Sequence, residues 1–152
     1  MINKSLIHTK IDEFDFPVER GKIKEFASAI CDPNPVYRDQ KYAAAEKFSD
    51  VLAPVTFPMT FVFQMNSENA VLETMQKLGM DVGKSVHGEI EFIYERPICA
   101  GETLHVEISI GNIYEKPGKR GGMMTFVEHE TRFYDEKKKP IILVRNTFIE
   151  KG

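Results

Sequence analysis

Val86-His87-Gly88-Glu89-Ile90-Glu91-Phe92-Ile93-Tyr94-Glu95-Arg96-Pro97 sets side chains of opposite character at alternate positions. Val86, Gly88, Ile90, Phe92 and Tyr94 fall on one side, and His87, Glu89, Glu91 and Glu95 on the other. A period of two marks a strand with one face on a core, and Arg96-Pro97 ends it. The same alternation returns downstream. Leu104, Val106, Ile108 and Ile110 interleave with His105, Glu107 and Ser109, and residues 123–134 and 141–149 are rich in β formers. Ala100-Gly101-Glu102, the Gly-rich run 116–122 and the stretch Asp135 to Pro140 supply the turns between them.

Upstream the period lengthens. A short alternating strand over 13–18 gives way at Arg20 to Ile23, Phe26, Ala27 and Ile30, the spacing of one helix face. Pro33 and Pro35 disfavour helical geometry in the residues before them, so this helix stops at Cys31–Asp32. Asp39 reads as the N-cap of a second, Ala-rich helix over Lys41–Phe48. After Leu52-Ala53-Pro54 a long helical stretch is expected over roughly 56–79. Phe57, Phe61 and Met65 recur along it, Val71, Leu72, Met75 and Leu78 continue a buried face, and Gly79 ends it. Asn66-Ser67-Glu68 is a candidate break, with Ser67 or Asn66 capping the second piece. The expected fold class is α+β, an antiparallel sheet wrapped around a long central helix, with 1–152 forming one domain. Periodicity does not give the strand order.

Composition narrows the functions. A chain of 152 residues with 42% hydrophobic residues is long enough to bury roughly two-thirds of its unfolded surface. Twenty Lys and Arg against twenty-three Asp and Glu leave a net charge of −3, spread evenly and without a basic block. A dominant electrostatic grip on nucleic acid is therefore not expected. The longest strongly apolar run, around Phe57 to Met65, falls far short of the ~20 residues of a membrane span. The N-terminus lacks the apolar core of a secretory signal. Cys31 and Cys99, the only two cysteines, have no metal-ligand spacing, and the expected location is a reducing cytoplasm.

The most specific segment is the loop Asp32-x-Asn34-Pro35-x-Tyr37, followed by Asp39 and Ala43 and then by Ala53-Pro54-x-Thr56-Phe57. It resembles the hot-dog fold of the MaoC-like, R-specific enoyl-thioester hydratases and (3R)-hydroxyacyl dehydratases. His87-Gly88-Glu89 and Arg96-Pro97-x-x-Ala100-Gly101-Glu102 fit the same pattern, so the resemblance runs over about 15–150. It is nearest to the N-terminal-type, FAS1-like dehydratase members, including the smaller subunits of mycobacterial-type heterodimeric fatty-acid dehydratases. The resemblance implies a dimer with one continuous sheet, formed with a copy of itself or with a related hot-dog subunit. It also implies acyl thioesters of coenzyme A or acyl carrier protein as ligands, with no cofactor and no metal.

Active members use a loop of the type Asp-x-Asn-Pro-x-His, in which the Asp and His share the water that is added or removed. They also carry a His-Gly pair at the start of the central helix, where free backbone N–H groups hold the enolate oxygen. This sequence has Tyr37 in place of the His and Pro54-Val55 in place of the pair. A phenol is protonated at neutral pH, a poor base but a good donor. The candidate catalytic residues are therefore Asp32, Asn34, Tyr37 and, as a substitute imidazole from a neighbouring strand, His87. Pro54, Val55, Thr56 and Phe57 are the candidate substrate-binding residues.

Three functions compete: a dehydratase or hydratase, a noncatalytic acyl-binding subunit whose partner carries the intact pair, and a hot-dog thioesterase. The last needs a carboxylate on the central helix, where Glu68 and Glu73 lie late. Each candidate also has a purely structural reading. Asp32 opens a turn, Tyr37 packs in a loop, His87 is a strand histidine, and His105 and His129 are exposed strand positions. Lys116, Lys119 and Arg120 either meet the phosphates of a carrier arm or decorate a hairpin, and Lys137–Lys139 read the same way. Met59 and Met65 are candidates for an adaptable acyl contact. The central expectation is that the acidic bend faces the mouth of a greasy channel beside the buried helix.

Overall fold

The computed structural model of the protein describes residues 2–67, 69–118 and 122–152. Strand β1 (Lys10–Pro17) leads into helix α1 (Arg20–Ala29), a 3-10 turn at Pro35–Tyr37 and the short helix α2 (Gln40–Ala45). A 3-10 helix at Phe57–Phe63 and helix α3 (Ala70–Leu78) precede β2 (Ser85–Tyr94), β3 (Thr103–Pro117), β4 (Met123–Tyr134) and β5 (Pro140–Glu150). The strands form one five-stranded sheet in the order β1-β3-β4-β5-β2. Every neighbouring pair is antiparallel.

Asp39 caps α2 as expected, accepting from the amides of Lys41 at 2.7 Å and Tyr42 at 3.1 Å. That helix ends at Ala45, three residues before Phe48. Helix α1 buries Ile23 and Ala27, whereas Ile30, assigned to the same stripe, is 46% exposed because the helix has already ended at Ala29.

The stretch 56–79 is two pieces, and the first is not α-helical. Pro58 lacks an N–H in the first turn of Phe57–Phe63. Farther on, Asp12 of β1 takes Asn66 out of any helix: its carboxylate accepts from the Asn66 amide at 2.9 Å and from Nδ2 at 2.8 Å. Neither Asn66 nor Ser67 supplies the cap at Asn69, although Ser67 Oγ accepts from the Asn69 amide at 3.3 Å. Gly79, at φ +81°, ends α3 where the sequence places the stop.

Phe57 and Phe61 nonetheless occupy the centre of the fold. Phe16 of β1, Leu104 and Val106 of β3, Phe133 of β4, Ile142 and Val144 of β5, and Phe92 and Tyr94 of β2 pack around them. Phe133 meets Phe61 and Phe16 edge-on, with ring centroids at 6.4 and 5.6 Å. A second cluster, Met75, Leu78, Met80, Ile110, Ile113 and Val127, packs α3 against the other end of the same sheet face. Between the two lies a polar interval of His129, Thr131 and Asn146, all buried.

Candidate active site

The Asp32 loop begins with the way α1 ends. Cys31 takes a left-handed φ of +57°, which lets the Asp32 amide reach back to the Ala27 carbonyl at 2.9 Å and the Cys31 amide to Ser28 at 3.0 Å. These bonds satisfy the last carbonyls of α1 and deliver Asp32 half-buried at its end. One carboxylate oxygen, Oδ1, accepts from the Asn34 amide at 3.0 Å. Asn34 Oδ1 in turn accepts from the Val36 amide at 3.1 Å and caps the Pro35–Tyr37 turn. The structural reading of Asp32 thus holds for one oxygen, while Oδ2 has no protein donor among the described residues. Arg38, which the sequence reading passed over, braces the loop by donating to the carbonyls of Asp32 and Asn34 and to Ser28 Oγ. Nothing in its spacing announces that role.

Tyr37 packs half-buried against the main core cluster. Burial pushes its phenol up, and the nearby Asp32 charge adds to that shift. It therefore stays protonated at neutral pH, able to donate a hydrogen bond but not to act as a base.

The Leu52 amide donates to the Val36 carbonyl at 3.0 Å, so the loop and the Pro54–Phe57 segment stand side by side. Pro54 and Phe57 are buried, while Val55 is 69% exposed and Thr56 is exposed. The Val55 carbonyl accepts from the Tyr94 hydroxyl at 2.8 Å, which ties the segment to β2. The amides of Val55 and Thr56, at the entry to the Phe57–Phe63 helix, meet no acceptor among the described residues. Apolar cavities flank the segment. One of about 280 Å³ lies between Phe57, Thr60, Phe63 and the α1 face at Phe26 and Ala29. Another, of about 360 Å³, lies between Leu52, Val55, Tyr94 and Pro97. Asp32, Asn34 and Tyr37 line neither, so the expected opening of the acidic bend onto a greasy channel is not found among the described residues of one chain.

His87 is elsewhere. Its strand carries a bulge at Gly88: His87 pairs with Phe148 while Glu89 pairs with Thr147. The extra residue moves His87 to the face shared by Ile90 and Phe92, the opposite of the side that strict alternation assigns it. Its Nε2 lies 3.2 Å from Asn146 Oδ1 and its ring meets Phe148 edge-on at 5.2 Å. It lines a cavity of about 310 Å³ with Met59, Met65, His129 and Thr131, and Asp32, Asn34 and Tyr37 take no part in that lining.

His129 is 2% exposed, so its expectation as a surface position fails; it shares a strand phase with the buried Val127 and Phe133, which is the signal that identifies it. His105 is half-buried near Asp15 and Glu107. Glu13, His105 and Glu107 bring ligand atoms within 4.8 Å of one another on the outer face, but the Lys10 ammonium already pairs with both carboxylates. Lys116 stacks over the Tyr114 and Phe126 rings, and Lys119, Arg120 and Glu68 lie outside the described residues. Glu73 is exposed on α3.

A five-stranded antiparallel sheet packed on a central helical segment is the hot-dog fold of the MaoC-like dehydratases and hydratases. The chain belongs to the FAS1-like dehydratase family: the model of the FAS1-like dehydratase domain region matches residues 5–144. It is 33% identical over 137 residues to a UPF0336 protein of Saccharopolyspora erythraea, covering 90% of this chain and 83% of that one. Among solved structures it resembles a MaoC-like dehydratase with a TM-score of 0.78 and 23% identity, over 98% of this chain and 43% of the other. It also resembles the C-terminally truncated HadBC (3R)-hydroxyacyl-ACP dehydratase complex of Mycobacterium tuberculosis. That match has a TM-score of 0.70 and 20% identity over 95% and 96% of the two chains. No helix among the described residues is long and apolar enough to cross a membrane.

Proposed function

We propose that residues 1–152 form one hot-dog domain that binds acyl thioesters as half of a cytoplasmic (3R)-hydroxyacyl dehydratase or enoyl hydratase of fatty-acid metabolism, with a related hot-dog chain completing the site. One observation carries this reading: Asp32 presents a free carboxylate oxygen, yet no imidazole accompanies it. All four histidines are placed elsewhere, His8 at the start of the fold, His105 on the outer face, and His87 and His129 in a separate cavity. Tyr37, in the family's His position, holds its proton.

Hydration joins a water oxygen to the β-carbon and a proton to the α-carbon. Asp32 Oδ2 orients that water and receives its proton as the C–O bond forms. Charge then gathers on the thioester oxygen, to which the Val55 and Thr56 amides and the Tyr37 hydroxyl donate in this reading. Protonation of the α-carbon needs an acid weaker in its hold than a phenol, and the partner's imidazole supplies it. The HadBC structure, itself a two-protein complex, supports such an arrangement. Strand β2 supports it too, because its free edge carries the exposed Val86, Ile90 and Ile93.

Hydration of crotonyl-CoA, followed by the chain alone and co-expressed with a hot-dog protein from a neighbouring gene, tests the assignment. The mixture is expected to exceed the chain alone by roughly 100-fold or more. Turnover by the lone chain at ordinary enzyme rates, abolished in Asp32→Asn, would instead make Asp32 and Tyr37 a complete base and donor pair in a homodimer. Release of free thiol would favour a thioesterase.

A further inference from the structure

His129 and Thr131 are the two described residues whose fully buried side-chain polar atoms, Nε2 and Oγ1, have no hydrogen-bond partner. They are 2% and 0% exposed, neighbours on the core face of β4, and both line the cavity of about 310 Å³. Asn146, directly across from His129 in the sheet, and His87 beyond it add two more polar groups to the same wall. Opposite them stand Met59, Phe61, Val62, Met65 and Val71. The cavity sits where the helical segment is divided: Met59, Phe61 and Val62 of the first piece and Val71 of α3 line it. Buried donors and acceptors without partners are rare in folded proteins, and each costs its lost hydration unless something fills the space.

The chemistry of the wall restricts what that is. Among the described residues no Lys, Arg, Asp or Glu lines the cavity, so none of them offers a counter-charge to an ionised group entering it. Burial holds His129 down at about 4, which keeps its imidazole neutral near pH 7, with one nitrogen donating and the other accepting. Thr131 Oγ1 both donates and accepts. An oxygen atom in a hydroxyl or ketone satisfies these partners, and the methionine side chains adapt to the apolar remainder. A volume of this size is at the lower end of small-ligand pockets.

We propose that this cavity binds the uncharged, oxygen-bearing end of an apolar molecule, with His129, Thr131 and Asn146 reading the oxygen and Met59, Phe61 and Met65 enclosing the carbon chain. The ligand is either a free small alcohol or ketone or the oxygenated tail of an acyl group. The second source rests on the thioester reading: the Phe57–Phe63 segment runs from the free amides at Val55 and Thr56 toward the cavity, about 14 Å at the 3-10 rise.

Titrating the purified chain with 1-heptanol, 2-heptanone and heptanoate at pH 7, while following the Met59 and Met65 methyl resonances, tests the site directly. Saturable shifts are expected with the alcohol and the ketone and not with heptanoate. Thr131→Val, which keeps the side-chain shape, is expected to weaken 1-heptanol binding by roughly fivefold. His129→Leu should do the same while the empty protein stays folded. Octanoyl-CoA against 8-hydroxyoctanoyl-CoA separates the sources: a preference for the hydroxylated thioester that Thr131→Val erases assigns the acyl tail, and its absence beside 1-heptanol binding assigns a free ligand. Equal binding of heptanoate, unchanged 1-heptanol affinity in Thr131→Val, or no methyl response to any probe would overturn the proposal. None of these readouts uses Asp32, so the hydratase reading stands or falls apart from them.

Discussion

Cys31 adopts a backbone conformation that ordinarily belongs to glycine, and the geometry of the Asp32 loop depends on it. At φ +57° the Cβ crowds the backbone, which costs an L-residue about 1 kcal/mol or more. Cys31→Gly removes that crowding at a position where glycine is free to turn, against some gain in unfolded-chain entropy. The expected outcome is a gain of about 0.5–1 kcal/mol, a rise in Tm of about 1–4 °C, read by thermal unfolding. Asp50 is the second residue whose charge matters to the region. Its carboxylate accepts from Arg20 at the start of α1, from Gln40 at the start of α2 and from the Val51 amide. The Arg20 bond, more than the others, holds it down at about 2. A carboxylate depressed in the folded state stabilises the fold above its unfolded pKa, near 4, and loses that contribution as the pH falls through 2. Urea unfolding at pH 7 and at pH 2.5 should therefore show a gap between parent and Asp50→Asn that shrinks on acidification.

Within an element, phase decides what a side chain touches, and strand β2 shows how one residue resets it. A Cβ on Gly88 would lie 2.6 Å from Ile149 Cδ1 and 3.1 Å from the Thr147 carbonyl oxygen. A side chain at the bulge thus forces Ile149 and the Thr147 carbonyl to give way. Gly88→Ala is expected to cost about 1–3 kcal/mol in urea unfolding and to change the His87 imidazole resonances, since His87 stays on the cavity face only while the bulge persists. The strands were legible because alternation over eight or more residues leaves little choice of face, and Val127, His129, Thr131 and Phe133 carry the phase that buries His129. The bulge was not, because an extra residue is invisible to a count of alternate positions. The break in the central helix had a trace in Asn66-Ser67-Glu68, but its cause is Asp12, more than fifty residues away. The Asp32 loop was readable as a unit because Asx bonding and proline act over a few residues, whereas the brace from Leu52 depends on the tertiary fold and that from Arg38 on a side-chain reach with no fixed spacing.

Across the whole molecule, the sheet ends in two edge strands, β1 and β2, and it is the β2 edge that carries exposed apolar side chains. Among the described residues strand β2 is bonded to β5 on one side and to no strand on the other, and its outer positions Val86 and Ile93 are 39% and 40% exposed. An unpaired edge with apolar side chains on both faces invites another strand, and here it also carries Tyr94, which holds the Val55 carbonyl beside the candidate site. Pairing along β2 would therefore extend the sheet and wall off the space next to Val55 at once. Ile93 is the residue to change, because it faces away from the core of its own chain and opposes only Leu143. Ile93→Lys should leave the thermal stability of the isolated fold within about 0.5 kcal/mol of the parent, as for most surface substitutions. In sedimentation velocity, the parent, alone or with its hot-dog partner, should run as a two-chain species and Ile93→Lys as a single chain. Crotonyl-CoA hydration should fall with it, because a site that needs two chains is lost with the pair even when each chain stays folded. An Ile93→Lys protein that sediments and hydrates like the parent would move the interface away from β2 and, with it, the source of the missing imidazole.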